Sequence, residues 1–460
     1  MDILAGERML DQNLQMLLSS LDPDNEVEII SDKVRVQKLS QDFNWFSPLL
    51  KNKLGSMSAD VVLRPKTMDG LLQVLSQCAL FRVSITVRGA GTGNYGQSVP
   101  LEGGILLDLS SLNRILDISK ESITAEAGVR IASLEASAAQ YGSEIRMFPS
   151  TFRSATIGGF ICGGSGGIGS FLYGGLSEPN NILSATICTL DKNPVLKKLQ
   201  GSELSGVLHA YGTSAVVVDV TVPLERGRDW YEMLIGFEDI EDGLNACDML
   251  SAMFTRNIRL LTFIEAELSS HIGLLNIDSP VDRLHCVIAI VEYDKYEQIE
   301  SKVELYRGTI LDSRYHNDVK NKGKTYVEFT WNHTTLHTLK KLPHYTYLQT
   351  SYGNIDEYRR KILKTKEIYG FNLLVHLEYV RRNGEMWVIG LPVINYQSAS
   401  EIYSCISTHR ENKIQVADPH TFQIENIDNA VDPNIYALKQ IADPHSLLNP
   451  GKLPGADHAC

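Results

Sequence analysis

Residues 83–109 read VSITVRGAGTGNYGQSVPLEGGILLDL. Val83, Ile85 and Val87 alternate with small or polar residues, Gly89, Gly91, Gly93 and Gly96 follow within eight positions, and Ile105 to Leu109 is apolar again. That pattern predicts strand, glycine loop, strand. Glycines this dense let backbone N–H groups close on an anion, most often a phosphate. Gly91, Gly93 and Gly96 also fit the Gly-x-Gly-x-x-Gly fingerprint of a nicotinamide-binding Rossmann unit, with Asp108 downstream as the ribose acid. Such a loop must open into a helix, whereas here Pro100 and Gly103-Gly104 lead into a second β-rich run. A glycine turn without a ligand is the competing reading, since one glycine motif is a weak signal.

A second glycine-dense stretch weakens that competitor. Residues 149–159 read PSTFRSATIGG, followed by Gly163, Gly164, Gly166, Gly167, Gly169, Gly174 and Gly175. Two such loops, each bordered by strand-like runs, suggest one extended ligand between them, such as a dinucleotide.

Composition sets the outer limits. The 460 residues suit about two or three domains, and 43% apolar with 21% charged residues is ordinary for a soluble globular chain. A formal charge of −12 speaks against a nucleic-acid surface. Seven scattered cysteines without a Cys-x-x-Cys pair suit reduced thiols, hence a cytoplasmic setting and no zinc site. The N-terminus does not read as a secretory signal, and no apolar run has the length of a membrane span.

Around the core stretch, Thr67 is placed to cap a helix carrying Leu71, Leu72, Leu75, Cys78 and Ala79 on one stripe. Ile131 to Tyr141 reads as another helix. Residues 1–58 form a polar, partly helical lead-in, with Leu10, Leu14, Leu17 and Leu18 on one face and no assigned chemistry.

Four motifs in order carry a family resemblance: Arg88-Gly-Ala-Gly-Thr-Gly, the Thr156-Ile-Gly-Gly block, the run from Asn181 to Ile187, and Asp443 to Lys452 with its Asn449-Pro-Gly. Together they resemble the vanillyl-alcohol-oxidase family of FAD enzymes, with FAD-binding domains of the PCMH type and the glycolate-oxidase D subunit among its members. The resemblance implies an α+β fold: a two-lobed FAD-binding domain over 59–224, a substrate-binding cap over 225–412, and a segment 413–460 returning to the FAD. It implies that Arg88, Gly89, Ala90, Gly91, Thr92, Gly93, Asn94, Gln97 and Ser98 hold the cofactor. Pro149, Ser150, Thr156, Ile157, Gly158, Gly159, Gly163, Gly164, Gly167, Ile182 and Asn449 are implied with them, backbone N–H groups of both loops serving pyrophosphate and flavin. Many members tether FAD through a histidine at the position of Thr92, and some through a second-loop cysteine whose surroundings Cys162 does not match. Non-covalent FAD is therefore expected.

In the cap the best-defined unit is the hairpin from Phe371 to Gly390, turned by Asn383-Gly384. Leu373, Val375, Leu377 and Tyr379 should face helices, and Leu374, His376, Glu378 and Val380 the opposite side. His376 is the first choice of catalytic base, with Glu378 orienting it and Tyr347 as the alternative. The same His–Glu pair serves equally well as an ordinary structural hydrogen bond. Residues 326–349, YVEFTWNHTTLHTLKKLPHYTYLQ, offer a substrate lining or an aromatic sheet face, with Asn332 placed to cap a short helix. Arg381 and Arg382 sit at the hairpin tip, where solvation is expected.

The chemistry implied is two-electron oxidation of a small alcohol, 2-hydroxy acid or related CH–OH or CH–NH substrate by bound FAD, with dioxygen or another carrier reoxidising it. No Gly-His-x-Gly-Asp-Gly-Asn metal motif is present, so no metal is expected. A homodimer is compatible with everything above. A flavin-binding protein with a non-catalytic cap and a nicotinamide Rossmann dehydrogenase stand as alternatives.

Overall fold

The computed structural model describes residues 12–456 except 23, 25, 275–283 and 426–430. The glycine-rich stretch folds as its pattern predicts, with strands Ile85–Arg88 and Ile105–Asp108 flanking the loop and no helix between them. These two strands pair in parallel, and Ile105–Asp108 pairs in parallel with Val61–Pro65. Helix Met68–Phe81 makes the crossover, and the Thr67 hydroxyl accepts from the Gly70 N–H at its start. Its stripe of Leu71, Val74, Leu75 and Cys78 packs into the core of this first lobe.

The lead-in is more than helical. Helix Gln12–Ser20 buries Leu14 and Leu17, while Leu10 lies outside the described residues. Strand Val27–Ile30 then pairs antiparallel with Val61–Pro65 as the edge of the first sheet. Four residues alternate too briefly for the sequence to announce that strand; its partner, over thirty positions away, defines it.

The second lobe is a six-stranded sheet built around the long strand Val216–Arg226, which pairs with Ser122–Glu126, Ser143–Ile145 and Ser184–Cys188. Helix Ile131–Ala139 packs beside it. The cap is an antiparallel eight-stranded sheet in which Trp230–Phe237, His285–Glu292, Ile258–Ile264, His376–Arg382 and Glu385–Gly390 run side by side. Together the lobes and cap make an α+β fold of mixed sheets and helices.

Alternation along the cap strands separates two faces. Leu373, Val375, Leu377 and Tyr379 enter the core beneath the outer helices, and Leu374 enters the core shared with the second lobe. The tip turns at Asn383 (φ 51°) and Gly384 (φ 83°), so Arg382 pairs with Glu385 across a two-residue loop.

The chain's last part closes the first lobe. The Ile85 N–H donates to the Leu447 carbonyl at 2.8 Å, and the Asn449 N–H donates back to Ile85 O at 2.6 Å. Asp443, 1% exposed, anchors this return: it accepts from Lys439 Nζ at 2.8 Å and from the N–H groups of Leu447 and Leu448. Asp443→Ala leaves the buried Lys439 ammonium without its counter-charge and two amides without their acceptor, and is expected to cost about 3–5 kcal/mol in urea unfolding. A loss below about 1 kcal/mol would show that the anchor is dispensable.

Candidate functional site

The two glycine-rich loops meet where a side chain cannot fit. A Cβ on Gly89 would lie 2.1 Å from the Thr156 hydroxyl oxygen. Gly91 has φ +65°, and the Arg88 guanidinium occupies the space its side chain would take. Arg88 donates to Gln41 O at 2.9 Å and to Ala90 O at 3.2 Å, folding the loop back on its own first residue. Among the described residues, the N–H groups of Ala90, Gly91, Thr92, Gly93 and Asn94 donate to no carbonyl or side chain. Five consecutive free donors fit an anionic ligand.

The second loop contributes differently from the expectation. The N–H groups of Ile157 and Gly158 donate to Val129 O and Ala127 O at 2.9 Å, and that of Gly159 to the Thr156 hydroxyl. These amides are spent within the protein, so this loop offers closeness of approach rather than free donors.

Both loops open on one cavity of about 760 Å³, a volume suited to a dinucleotide with room beside it. Of the residues expected to hold cofactor, Arg88 to Asn94, Gln97, Ser98, Pro149, Ser150, Thr156, Gly158, Gly159, Gly163 and Gly164 line it. Ile157, Gly167, Ile182 and Asn449 do not. Ile157 and Ile182 are buried in the hydrophobic core, and Gly167 packs against the Phe148 carbonyl.

Asn449 acts from behind the wall, its side-chain amide donating to Gln97 O at 2.9 Å and Tyr211 O at 2.6 Å. Lys452, fully buried, reinforces it by donating to the carbonyls of Gly96, Gln97 and Val99. Burial pulls the Lys452 ammonium down to about 7, against the opposing charge of Asp42.

His209 and Tyr211 line the cavity without having been singled out from sequence. Their rings meet edge to face, with Tyr211 OH 3.3 Å from His209 Nε2, and both residues have φ of 52°. Left-handed backbone at a histidine and a tyrosine is the kind of local strain found at ligand sites. In the sequence, the flanking Gly206 and Gly212 were the only hint.

The cap supplies the opposite wall through Trp331, Asn332, Gln349, Thr350, Arg381, Arg382 and Asn383. Arg381 and Arg382 are half-buried there, while Asn383 and Gly384 at the tip itself are exposed. The Asn383 N–H donates to Glu178 of the FAD-side loop at 2.8 Å, and Arg381 is held by the carbonyls of Gly384 and Thr255. Among the residues lining the cavity, His376 and Glu378 are absent.

His376 Nε2 and Glu378 Oε1 lie 2.9 Å apart, as their spacing on one strand face predicts, but both are buried behind Trp331. Glu378 accepts from the Trp331 N–H at 2.7 Å and from the Thr262 hydroxyl at 2.6 Å. Of the two readings of this pair, a catalytic base with its orienting partner and an ordinary structural hydrogen bond, the geometry matches the second, because the chain lays the 326–341 segment over it.

Tyr347 also sits one layer back, fully buried, and its OH accepts from the lining residue Asn94 at 2.8 Å. Burial raises the Tyr347 phenol well above its ordinary 10, with neighbouring Tyr95 adding to the effect. At neutral pH it is a hydrogen-bonding phenol rather than a base. Asn332, expected as a helix cap, is instead the first residue of helix Asn332–Lys341, and its Oδ1 makes no hydrogen bond.

Residues 59–193 match the FAD binding domain model. They form an FAD binding domain. The free loop donors and the size of the cavity suit that cofactor. The chain is similar to the glycolate oxidase subunit GlcD of Bacillus subtilis, 35% identical over 117 residues that span 25% of each chain. It is also similar to the D-lactate dehydrogenase of Archaeoglobus fulgidus, 28% identical over 40% of this chain and 43% of that one.

The chain thus matches between a quarter and about two-fifths of the length of these relatives. Over the whole fold, the chain superposes on a solved alkyldihydroxyacetonephosphate synthase with a TM-score of 0.72, covering 98% of this chain and 86% of that one at 13% identity. The two chains therefore share one overall fold. No described helix is long and apolar enough to cross a membrane.

Gly89→Ala is expected to force the two loops apart and to lower the flavin retained on purification several-fold, read from absorbance per protein. Wild-type flavin content in this variant would show that the close approach of the loops does not serve the cofactor.

Proposed function

We propose that this protein is an FAD-dependent oxidoreductase that oxidises the CH–OH group of a small 2-hydroxy acid. The observation that carries this reading is a single cavity walled on one side by the free N–H groups of Ala90 to Asn94 and on the other by polar cap residues. The names of the relatives, a glycolate oxidase subunit and a D-lactate dehydrogenase, supply the substrate class.

When bound, FAD supplies the two-electron acceptor for this chemistry. The first-loop amides and the Arg88 fold hold its anionic part, and the Asn449 and Lys452 clamps keep the loop carbonyls turned away from it. Asn94, donating to the Tyr347 hydroxyl, ties the glycine loop to the layer behind the opposite wall.

The FAD is held non-covalently in this reading. Thr92 has no nucleophile suited to a flavin tether. Cys162 lines the cavity, but burial pushes its thiol up to about 12, so the thiolate needed for attack is scarce.

Two measurements test these statements. Acid precipitation should leave the flavin in the supernatant; a yellow pellet means a covalent link. Under anaerobic conditions, glycolate or a lactate enantiomer should bleach the flavin. If dithionite bleaches it and none of these acids does, the 2-hydroxy acid reading is wrong.

A further inference from the structure

Lys452 is a buried cation without a paired anion. The other buried lysine of this segment, Lys439, pairs with Asp443 at 2.8 Å. Among the described residues no carboxylate pairs with Lys452, which is fully buried and gives its N–H bonds to the carbonyls of Gly96, Gln97 and Val99. Buried charges are as a rule paired, so an unpaired ammonium either sheds its proton readily or finds its counter-charge in a ligand.

The surrounding elements compensate it only from a distance. Asp42, on the lead-in, is the carboxylate whose charge acts on Lys452, but its Oδ1 accepts from the Asn44 backbone and side chain at 2.9 and 3.0 Å. Burial raises the Asp42 carboxyl, and the Arg88 guanidinium acts on it as well. Burial also raises the phenols of Tyr95 and Tyr211, and lowers His420 on the returning chain to about 4, so all three are neutral at neutral pH.

Protonation of Lys452 reaches the cavity through one turn. Gln97 O keeps a second donor in Asn449 and Gly96 O keeps one in the Val99 N–H, but Val99 O has Lys452 alone among the described residues. A neutral amine has two N–H bonds instead of three, so loss of the proton leaves one carbonyl of the 96–99 turn without a donor. Gln97 and Ser98 of that turn line the cavity, and the Ser98 hydroxyl accepts at 3.3 Å from Arg88, where the loop with the free amides begins.

We propose that FAD binding takes up one proton from solvent onto Lys452, a step that rests on the FAD site described above. The anionic pyrophosphate supplies the counter-charge that the ammonium lacks, so the protonated protein binds FAD more tightly than the neutral one. By linkage, bound FAD makes Lys452 harder to deprotonate. In the empty protein burial pulls Lys452 down to about 7, with Asp42 opposing. Below that value the lysine is already charged and affinity does not change with pH through it. Above it, and up to the raised value of the loaded protein, affinity falls as pH rises, by at most about 10-fold per pH unit for one proton.

The test is calorimetric titration of FAD into the apoprotein near pH 8 in two buffers of different ionisation enthalpy, with Kd followed by flavin fluorescence from about pH 6.5 to about pH 8.5. Wild type is expected to take up a proton, and its Kd to rise about 10-fold over that range. Lys452→Arg is charged throughout and Lys452→Met never is, so both are expected to take up none and to give a flat Kd, with Lys452→Met the weaker binder. Asp42→Asn removes the field that favours the ammonium and is expected to move the rise to lower pH.

Wild-type binding with no proton uptake overturns the coupling and leaves the FAD site standing. Uptake that persists in Lys452→Arg and Lys452→Met puts the proton elsewhere, on His209 of the cavity wall or on Asp42, and overturns it too. If neither lysine variant folds, an unmoved rise in Asp42→Asn overturns the assignment. An apoprotein that binds no FAD at any pH overturns the cofactor reading itself.

Discussion

The whole arrangement depends on how closely two backbone loops approach. Gly89 and Thr156 meet at a distance that leaves no room for a single methyl group, and the cavity exists because the first loop can turn its amides outward from that contact. Whatever the cofactor gains from free donors at Ala90 to Asn94 is possible only while the second loop stays in place. Thr156 itself caps the helix Ile157–Gly163 through the Gly159 N–H, so the same hydroxyl ends one element and limits the other.

Residues 439–452 bear on this contact from behind. Lys439 and Asp443 fix the return of the chain, Asn449 holds the carbonyls of Gln97 and Tyr211, and Lys452 gathers three carbonyls of the 96–99 turn. Turning carbonyls toward a buried ammonium points them away from the cavity, where they would repel an anion. The Asn-Pro-Gly-Lys motif therefore reads as support for the loop rather than as a direct contact with the cofactor.

The cap repeats this logic with carboxylates. Glu232 and Glu378 sit on the sheet face turned toward the FAD side, and each accepts a backbone N–H of the segment laid over it. Where the C-terminal segment uses a cation to orient carbonyls, the cap uses anions to orient amides. Both place charge behind the wall and leave neutral, directional groups in front.

Much of this was readable in the amino-acid order alone. Strand, glycine loop and strand at 83–109, the Thr67-capped helix, the hairpin at Asn383-Gly384 and the two unlike faces of its first strand all rest on local chemistry: alternation, a cap, a turn pair. Local signals could not show that residues 27–30 complete the first sheet, that the hairpin tip docks on Glu178, or that His376 and Glu378 lie behind Trp331. The His–Glu spacing was right, but which layer the pair occupies depends on the segment 326–331, some fifty positions earlier in the chain. Sequence determined which groups share a face; only tertiary packing decided which face meets the cavity, because that depends on contacts between distant segments that no local pattern encodes.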